Sequence, residues 1–152
     1  MKIKIFTIEK SANGAIETLG KEYQKMISRF ADVEEIKIFS KDISQAQVRG
    51  EQEAKASYSR AYEPYLKGFN VSLDVLGKEM DSFEFSEIFS HEATVNFFIG
   101  GAFGLESEFL TKTQRIISLS RLTYAHKIAK VVLLEQIYRG LCIQNNHPYH
   151  KN

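Results

Sequence analysis

Thr94-Val95-Asn96-Phe97-Phe98-Ile99-Gly100-Gly101-Ala102-Phe103-Gly104 is a nearly continuous apolar run that stops at a glycine-rich turn. A strand open to water on one face alternates apolar and polar residues, whereas a strand covered on both faces has no need to. The run is therefore read as the interior strand of a parallel sheet. The fold class follows: α/β, with helices on both sides of the sheet. Open sheets of this kind bind small molecules beyond the carboxyl ends of their strands, and glycine there lets a ligand approach the backbone. No GxGxxG pattern and no phosphate-loop Lys-Ser/Thr follows, so the turn suits a nucleoside better than a triphosphate.

Outward from this strand the chain alternates between two periods. Residues 2–8 (Lys-Ile-Lys-Ile-Phe-Thr-Ile) and 33–39 repeat every second position and predict two strands. Between them Ile16, Leu19, Tyr23, Met26, Ile27 and Phe30 recur at helical spacing. Residues 69–74 predict the third strand, with Asp74 at its end as a cap or turn residue or, alternatively, a catalytic group. Residues 40–50 are polar and read as a mobile loop, followed by a helix that ends near residues 64–68. Tyr58, Tyr62 and Tyr65 share one face of that helix, as a packing side or as a platform for bases. Ser82 is the expected cap of a helix over 83–90. A helix is expected over 105–114, a last strand over 115–119 and a last helix over 126–143. The total is five strands in a single domain over residues 1–152.

The composition limits what this domain can be. With 43% hydrophobic and 26% charged residues the chain is globular, and no apolar run is long enough to span a membrane. Residues 1–8 read as a strand rather than a secretion signal, and Cys142 has no partner for a disulfide, so the expected location is cytoplasmic. Net charge is only +1. Residues 110–152, however, carry Lys112, Arg115, Arg121, Lys127, Lys130, Arg139 and Lys151 against Glu135 alone, a balance of +6. A polyanionic partner, or acidic groups of the protein itself, can answer that charge.

Three strand ends, near Asp74, Gly100 and Ser118, converge on one sheet edge and make a pocket by topology. The third leads into Ser118-Leu119-Ser120-Arg121-Leu122-Thr123-Tyr124-Ala125-His126. A Ser-His pair there (Ser118 or Ser120 with His126) lacks the GxSxG context of a nucleophile. His147 and His150 flank a proline with no cysteine or carboxylate beside them, so no metal site is expected. In the final helix, Val131, Val132, Leu133 and Leu134 are apolar on every side. One face must meet the sheet and another a second subunit, which predicts a homodimer.

Several segments recur together in one known family. These are Leu73-Asp74-Val75-Leu76-Gly77-Lys78, Phe98-Ile99-Gly100-Gly101-Ala102-Phe103-Gly104-Leu105, the 118–126 stretch above, Leu134-Glu135-Gln136-Ile137-Tyr138-Arg139 and Pro148-Tyr149-His150-Lys151. In this order they resemble the SPOUT-class methyltransferases that modify N3 of a pseudouridine in 23S ribosomal RNA of the large subunit. The resemblance implies a five-stranded parallel sheet with a C-terminal trefoil knot, an obligate dimer, and S-adenosylmethionine bound in the knot. Carried over by position, Leu73, Gly100, Leu119, Ser120, Arg121, Leu122, Thr123 and Tyr124 would hold the cofactor. Arg139, Tyr149 and His150 would face the RNA or assist catalysis. The substrate would be ribosomal RNA or the assembled ribosome.

The sequence departs from the family pattern at three places. Glu9-Lys10 stands where Gly-Lys is usual, Ala125 replaces the proline before His126, and Lys130 replaces an arginine in the last helix. The alternative reading is a non-catalytic α/β module that binds RNA or the ribosome through its basic C-terminal third.

Overall fold

The computed structural model describes residues 1–151. All five strands lie in one sheet: β1 (Lys2–Ile8), β2 (Asp32–Ile38), β3 (Phe69–Glu79), β4 (Thr94–Phe98) and β5 (Arg115–Ser118). Their order is β2-β1-β4-β3-β5, and every pairing is parallel. The apolar strand β4 is the centre, paired with β1 on one side and β3 on the other. In β1 the alternation sends Ile3 and Ile5 to one face and Phe6 and Ile8 to the other. In β4, Val95 and Phe97 face one way and Phe98 the other, which is why the run alternates so little; Asn96, buried among them, donates to the Lys67 carbonyl and to Asn70 Oδ1.

Each face has its own core. On one, Ile3, Ile5, Val71, Val95, Phe97 and Ile117 pack against α1 (Ala15–Ile27), α4 (Ser82–Ser86) and α6 (His126–Gln144). On the other, Phe6, Ile8 and Phe98 meet α2 (Lys41–Arg49), α3 (Glu51–Tyr62) and α5 (Ser107–Thr111). The Phe6 and Phe98 rings stack with centroids 4.8 Å apart across the β1–β4 pair, where they are register partners.

Four local expectations need correction. Residues 40–50 are not a loop: Ser40 accepts from the Ile43 N–H at 3.2 Å and caps α2, which buries Ile43 and Ala46. Two small contacts on nine residues give too thin a stripe for periodicity to detect. Gly50, at φ 125°, separates α2 from α3. The second correction concerns β3, which runs to Glu79 rather than Asp74. Its register breaks between Leu73 and Lys78, so residues 74–77 arch off the sheet and pairing resumes at Lys78↔Ile117. A Cβ on Gly77 would lie 2.7 Å from the Ile117 carbonyl carbon, so only glycine lets the arch return this close to β5.

Third, Asp81, not Ser82, caps α4, in a reciprocal box with Glu84. Ser82 Oγ instead donates to Gln136 Oε1 of α6 at 2.8 Å. Fourth, α5 has five residues, shorter than the helix expected over 105–114.

α6 is anchored near its start by charge. Lys130 is 1% exposed, and its Nζ lies 2.9 Å from Glu9 Oε1, 3.0 Å from Glu35 Oε1 and 3.7 Å from Glu17 Oε2. Lys37 joins from β2, 3.4 Å from Glu9 and 3.2 Å from Glu17. The cluster ties the end of β1, α1, β2 and α6 to a single point. Apolar packing of Leu133, Leu134, Ile137 and Leu141 holds the rest of the helix.

Candidate active site

The carboxyl ends of β3, β4 and β5 open into a cleft of about 550 Å³, within the range of small-molecule sites. Its walls are Leu73, Asp74 and Val75 after β3, residues 99–104 after β4, and Leu119, Ser120 and residues 122–126 after β5, with Ala129 of α6 behind them. Seven of the eight residues expected to hold a cofactor line it: Leu73, Gly100, Leu119, Ser120, Leu122, Thr123 and Tyr124. Arg121 is exposed on the same loop but is not part of the wall.

Backbone geometry explains the glycines. A Cβ on Gly100 would meet Gly104 Cα and its carbonyl carbon at 2.8 Å, so the turn closes on itself only because position 100 is bare. Gly104 takes φ 80°, where a Cβ is strained. The third loop is braced by its serines. Ser118 Oγ donates to the Ser120 carbonyl at 2.8 Å, and Ser120 Oγ accepts from the Leu122 N–H at 3.0 Å. Both hydroxyls thus shape the loop rather than pair with His126. Asp74 Oδ2 accepts from the Leu76 N–H at 3.0 Å, which makes Asp74 a turn residue of the arch.

The wall has no lysine or arginine; its charged or readily protonated groups are Asp74 and His126. Polyphosphates are held by cations or by rows of amides at a helix start. A cleft of apolar side chains with one carboxylate fits a neutral aromatic base and a positively charged group.

A second cluster forms at the other end of α6. Asn145-Asn146 ends the helix in a left-handed turn, with Asn146 at φ 55°. The His147 N–H donates to the Cys142 carbonyl at 2.9 Å and the Asn146 N–H to Ile143 at 3.3 Å. This reversal lays residues 147–150 back along the helix. Tyr149 packs edge-on against Tyr138, centroids 4.7 Å apart, and the Arg139 guanidinium sits 4.7 Å from the Tyr149 ring centre. Arg139 Nη1 is 3.1 Å from His150 Nδ1. Arginine can only donate, so in this contact Nδ1 is the acceptor.

Glu135 organises this cluster and was not among the expected site residues. Its Oε1 accepts from Tyr149 OH at 2.9 Å and from Arg139 Nε and Nη2 at 3.1 and 2.5 Å. The signal was its solitude: it is the one acidic residue in the last 43 positions, four before Arg139. Burial, and then the bond to Glu135, push the Tyr149 phenol up to about 12. The Glu135 contact also raises Arg139 further.

The structure thus brings Arg139, Tyr149 and His150 together, but not beside the cleft. None of the three lines it. Ala129 and Arg139 are ten residues apart on one helix, roughly 15 Å at ~1.5 Å per residue.

Much of the basic excess is used internally. Lys130 is buried among Glu9, Glu17 and Glu35, Lys112 pairs with Glu63, Arg139 with Glu135, and Lys127 approaches Glu17 at 4.0 Å. Among the described residues no group of three or more His, Cys, Asp or Glu could hold a metal, and no helix is long and apolar enough to cross a membrane.

Sheet order, cleft and glycine turn define an α/β domain with its pocket at the carboxyl edge of parallel strands, the place where such sheets bind small molecules. The chain belongs to the SPOUT methyltransferase family: the family model described as "Predicted SPOUT methyltransferase" matches residues 1–150. Among its relatives, Ribosomal RNA large subunit methyltransferase H of Aliarcobacter butzleri is 54% identical over 99% of this chain and 100% of its own length. The protein of the same name from Campylobacter concisus is 48% identical with the same coverage. A solved structure described as a probable methylase family protein, from Haemophilus influenzae, superposes with a TM-score of 0.60 over 99% of this chain and 70% of that one. At 15% identity, that likeness speaks for the fold alone.

Proposed function

We propose that the protein is a single-domain, cytoplasmic, S-adenosylmethionine-dependent methyltransferase acting on N3 of a pseudouridine in 23S ribosomal RNA. Relatives named as ribosomal RNA large subunit methyltransferases at 48–54% identity over the whole chain support the substrate class. The observation that carries the cofactor is the cleft without a cation, with Asp74 in its wall and bare backbone at Gly100. S-adenosylmethionine has an adenine, a hydroxylated ribose and no phosphate, and when bound it supplies a methyl group on an electrophilic sulfonium. Leu73, Ile99, Leu119 and Leu122 would flank the base. Gly100 and the backbone of residues 119–124 would meet its polar edge. Arg121 sits on this loop and would reach toward solvent and RNA.

The acceptor N3–H of a pyrimidine must give up its proton before the nitrogen can attack. Arg139 provides a positive charge that favours the resulting anion, and His150 is held beside it. Tyr149, with its phenol at about 12, stays protonated near neutrality and donates to Glu135. Its part is to fix Arg139 and offer a ring to the RNA, not to accept the proton.

A single chain keeps its cleft and this cluster at opposite ends of α6, so the reaction requires two chains. A two-fold homodimer pairing α6 antiparallel sets the cleft of one protomer beside the tail of its partner. Leu76 is 91% exposed on the 74–77 arch, Leu122 in the cleft wall is 71% exposed, and Phe83 stands against His150 at 4.9 Å. These are the apolar groups such an interface would cover. The family's trefoil knot belongs to the same proposal, with α6 carried past the 118–126 loop.

The test is methyl transfer from labelled S-adenosylmethionine to pseudouridine-containing 23S RNA, naked and in ribosomes, with calorimetry of cofactor binding alongside. Label at pseudouridine N3 is expected. Cofactor binding absent even with RNA present would leave the non-catalytic RNA-binding reading in its place.

A further inference from the structure

The cleft's glycine turn has almost no polar support from its own strand. β4 ends at Phe98, and Ile99 donates its N–H to the Phe6 carbonyl at 3.0 Å. The Ile99 carbonyl lies beyond the sheet ladder. Its partner comes from the opposite layer: Tyr62 of α3, wholly buried, donates its hydroxyl to it at 2.5 Å. One turn earlier on the same helix, the Tyr58 oxygen lies 2.6 Å from where a Cβ on Gly101 would stand. Tyr58 is also wholly buried and donates to Gln47 Oε1 of α2 at 2.5 Å.

The ring carbon that bears this oxygen lies 2.6 Å from the same point, so the tip of the Tyr58 ring packs against the bare backbone of Gly101. Burial raises both phenols, so both remain protonated donors near neutrality. A packing side needs only the rings, and phenylalanine at 58 and 62 would supply them. Two buried hydroxyls stand at successive turns of α3: that of Tyr62 is spent on the loop that walls the cleft, and that of Tyr58, seated against Gly101, is fixed by Gln47, an arrangement that packing alone leaves unexplained.

We propose that Tyr58 and Tyr62, with Gln47 behind Tyr58, are positioning residues that hold residues 99–104 in the shape that receives the cofactor. This rests on reading the cleft as the S-adenosylmethionine site. The helix α2, which supplies Gln47, thereby acts on a site it does not touch.

The test uses the full chain and two measurements. Without cofactor, amide hydrogen exchange across residues 100–104 should run at least roughly tenfold faster in Tyr58→Phe and in Tyr62→Phe, with Val95 and Phe97 in β4 unchanged. By calorimetry, Tyr58→Phe and Tyr62→Phe should each weaken S-adenosylmethionine binding roughly three- to tenfold. Gln47→Ala, which leaves both tyrosines intact on a half-exposed position, should show the same exchange change in smaller measure. Variants whose loop exchange and cofactor affinity match the wild type, even with a lowered melting temperature, would overturn the proposal and make the tyrosines packing residues only. A wild-type protein that binds no S-adenosylmethionine would overturn the cofactor reading and the purpose given to the tyrosines together. That result needs no substitution and so is told apart from theirs.

Discussion

Lys130 Nζ lies 2.9 Å from Glu9 Oε1 at a place where the two side chains are 1% and 2% exposed. These are two of the three positions at which the sequence departs from the pattern of the family it resembles. A carboxylate at the end of β1 and a primary amine in α6 are thus one feature. Met or Ala at 130 would leave Glu35 without its cation and Glu9 and Glu17 sharing Lys37. Lys130→Met is expected to cost about 3–5 kcal/mol of stability, the usual result of orphaning a buried charge. Adding Glu9→Gln should recover part of it. Urea denaturation of the two variants checks this.

The same cluster makes stability depend on pH at both ends. For Lys130, burial lowers the pKa, but the bonds to Glu9 and Glu35 outweigh it and leave it raised. Its contribution is therefore complete below the free lysine value of about 10.4 and is lost as pH climbs through the higher folded value. For Glu17, burial raises the pKa, but the Lys37 bond and neighbouring lysines leave it lowered. Its contribution holds above about 4.3 and is lost as pH falls through its folded value. Unfolding midpoints across pH should show a plateau between these limits, flatter at the alkaline end in Lys130→Met.

Gly100→Ala drives a methyl into the Gly104 backbone at 2.8 Å, a contact that no rotamer relieves. The turn must open, and cofactor affinity should fall at least roughly a hundredfold with the fold retained, since residues 100–104 lie outside both cores. Calorimetry beside circular dichroism separates the two effects.

Tyr149 is held near 12 by burial and by Glu135. A proton acceptor of that kind would be idle at neutral pH, so Tyr149→Phe should leave the shape of the pH–rate profile between about 6 and 9 unchanged while lowering its height. Glu135→Gln weakens the hold on Arg139 and should lower turnover by roughly tenfold or more, with cofactor binding unaffected.

Mixed chains test the two-chain site. Gly100→Ala spoils the cleft and Arg139→Ala spoils the tail cluster, so each variant alone should be inactive in methyl transfer. Co-refolded, the heterodimers own one site with an intact cleft from one chain and an intact Arg139 from the other. Recovery of about a quarter of wild-type activity is expected from random pairing. No recovery would mean that cleft and cluster of one chain act together.

The sheet was legible because β4 is covered on both faces and reads as a nearly continuous apolar run, and β1 because Ile3, Ile5 and Phe6, Ile8 divide between two cores. The cleft was legible for the same reason: strand ends share an edge once the strands are parallel. Glu9–Lys130 was not, because 121 positions separate the pair and each residue alone looks like surface charge. Nor was α2, whose two buried residues give no stripe, or Glu135, whose role depends on a left-handed Asn146 turning the tail back. The basic excess of residues 110–152 misled in part, since four of its seven cations meet carboxylates of the chain itself.

The most direct measurement is mass mapping of pseudouridines in 23S RNA from cells that have this protein, lack it, or carry Arg139→Ala in its place. One pseudouridine heavier by a methyl group is predicted in the first, and the unmethylated form in the other two. A methylation pattern unchanged by removal of the protein would contradict the account.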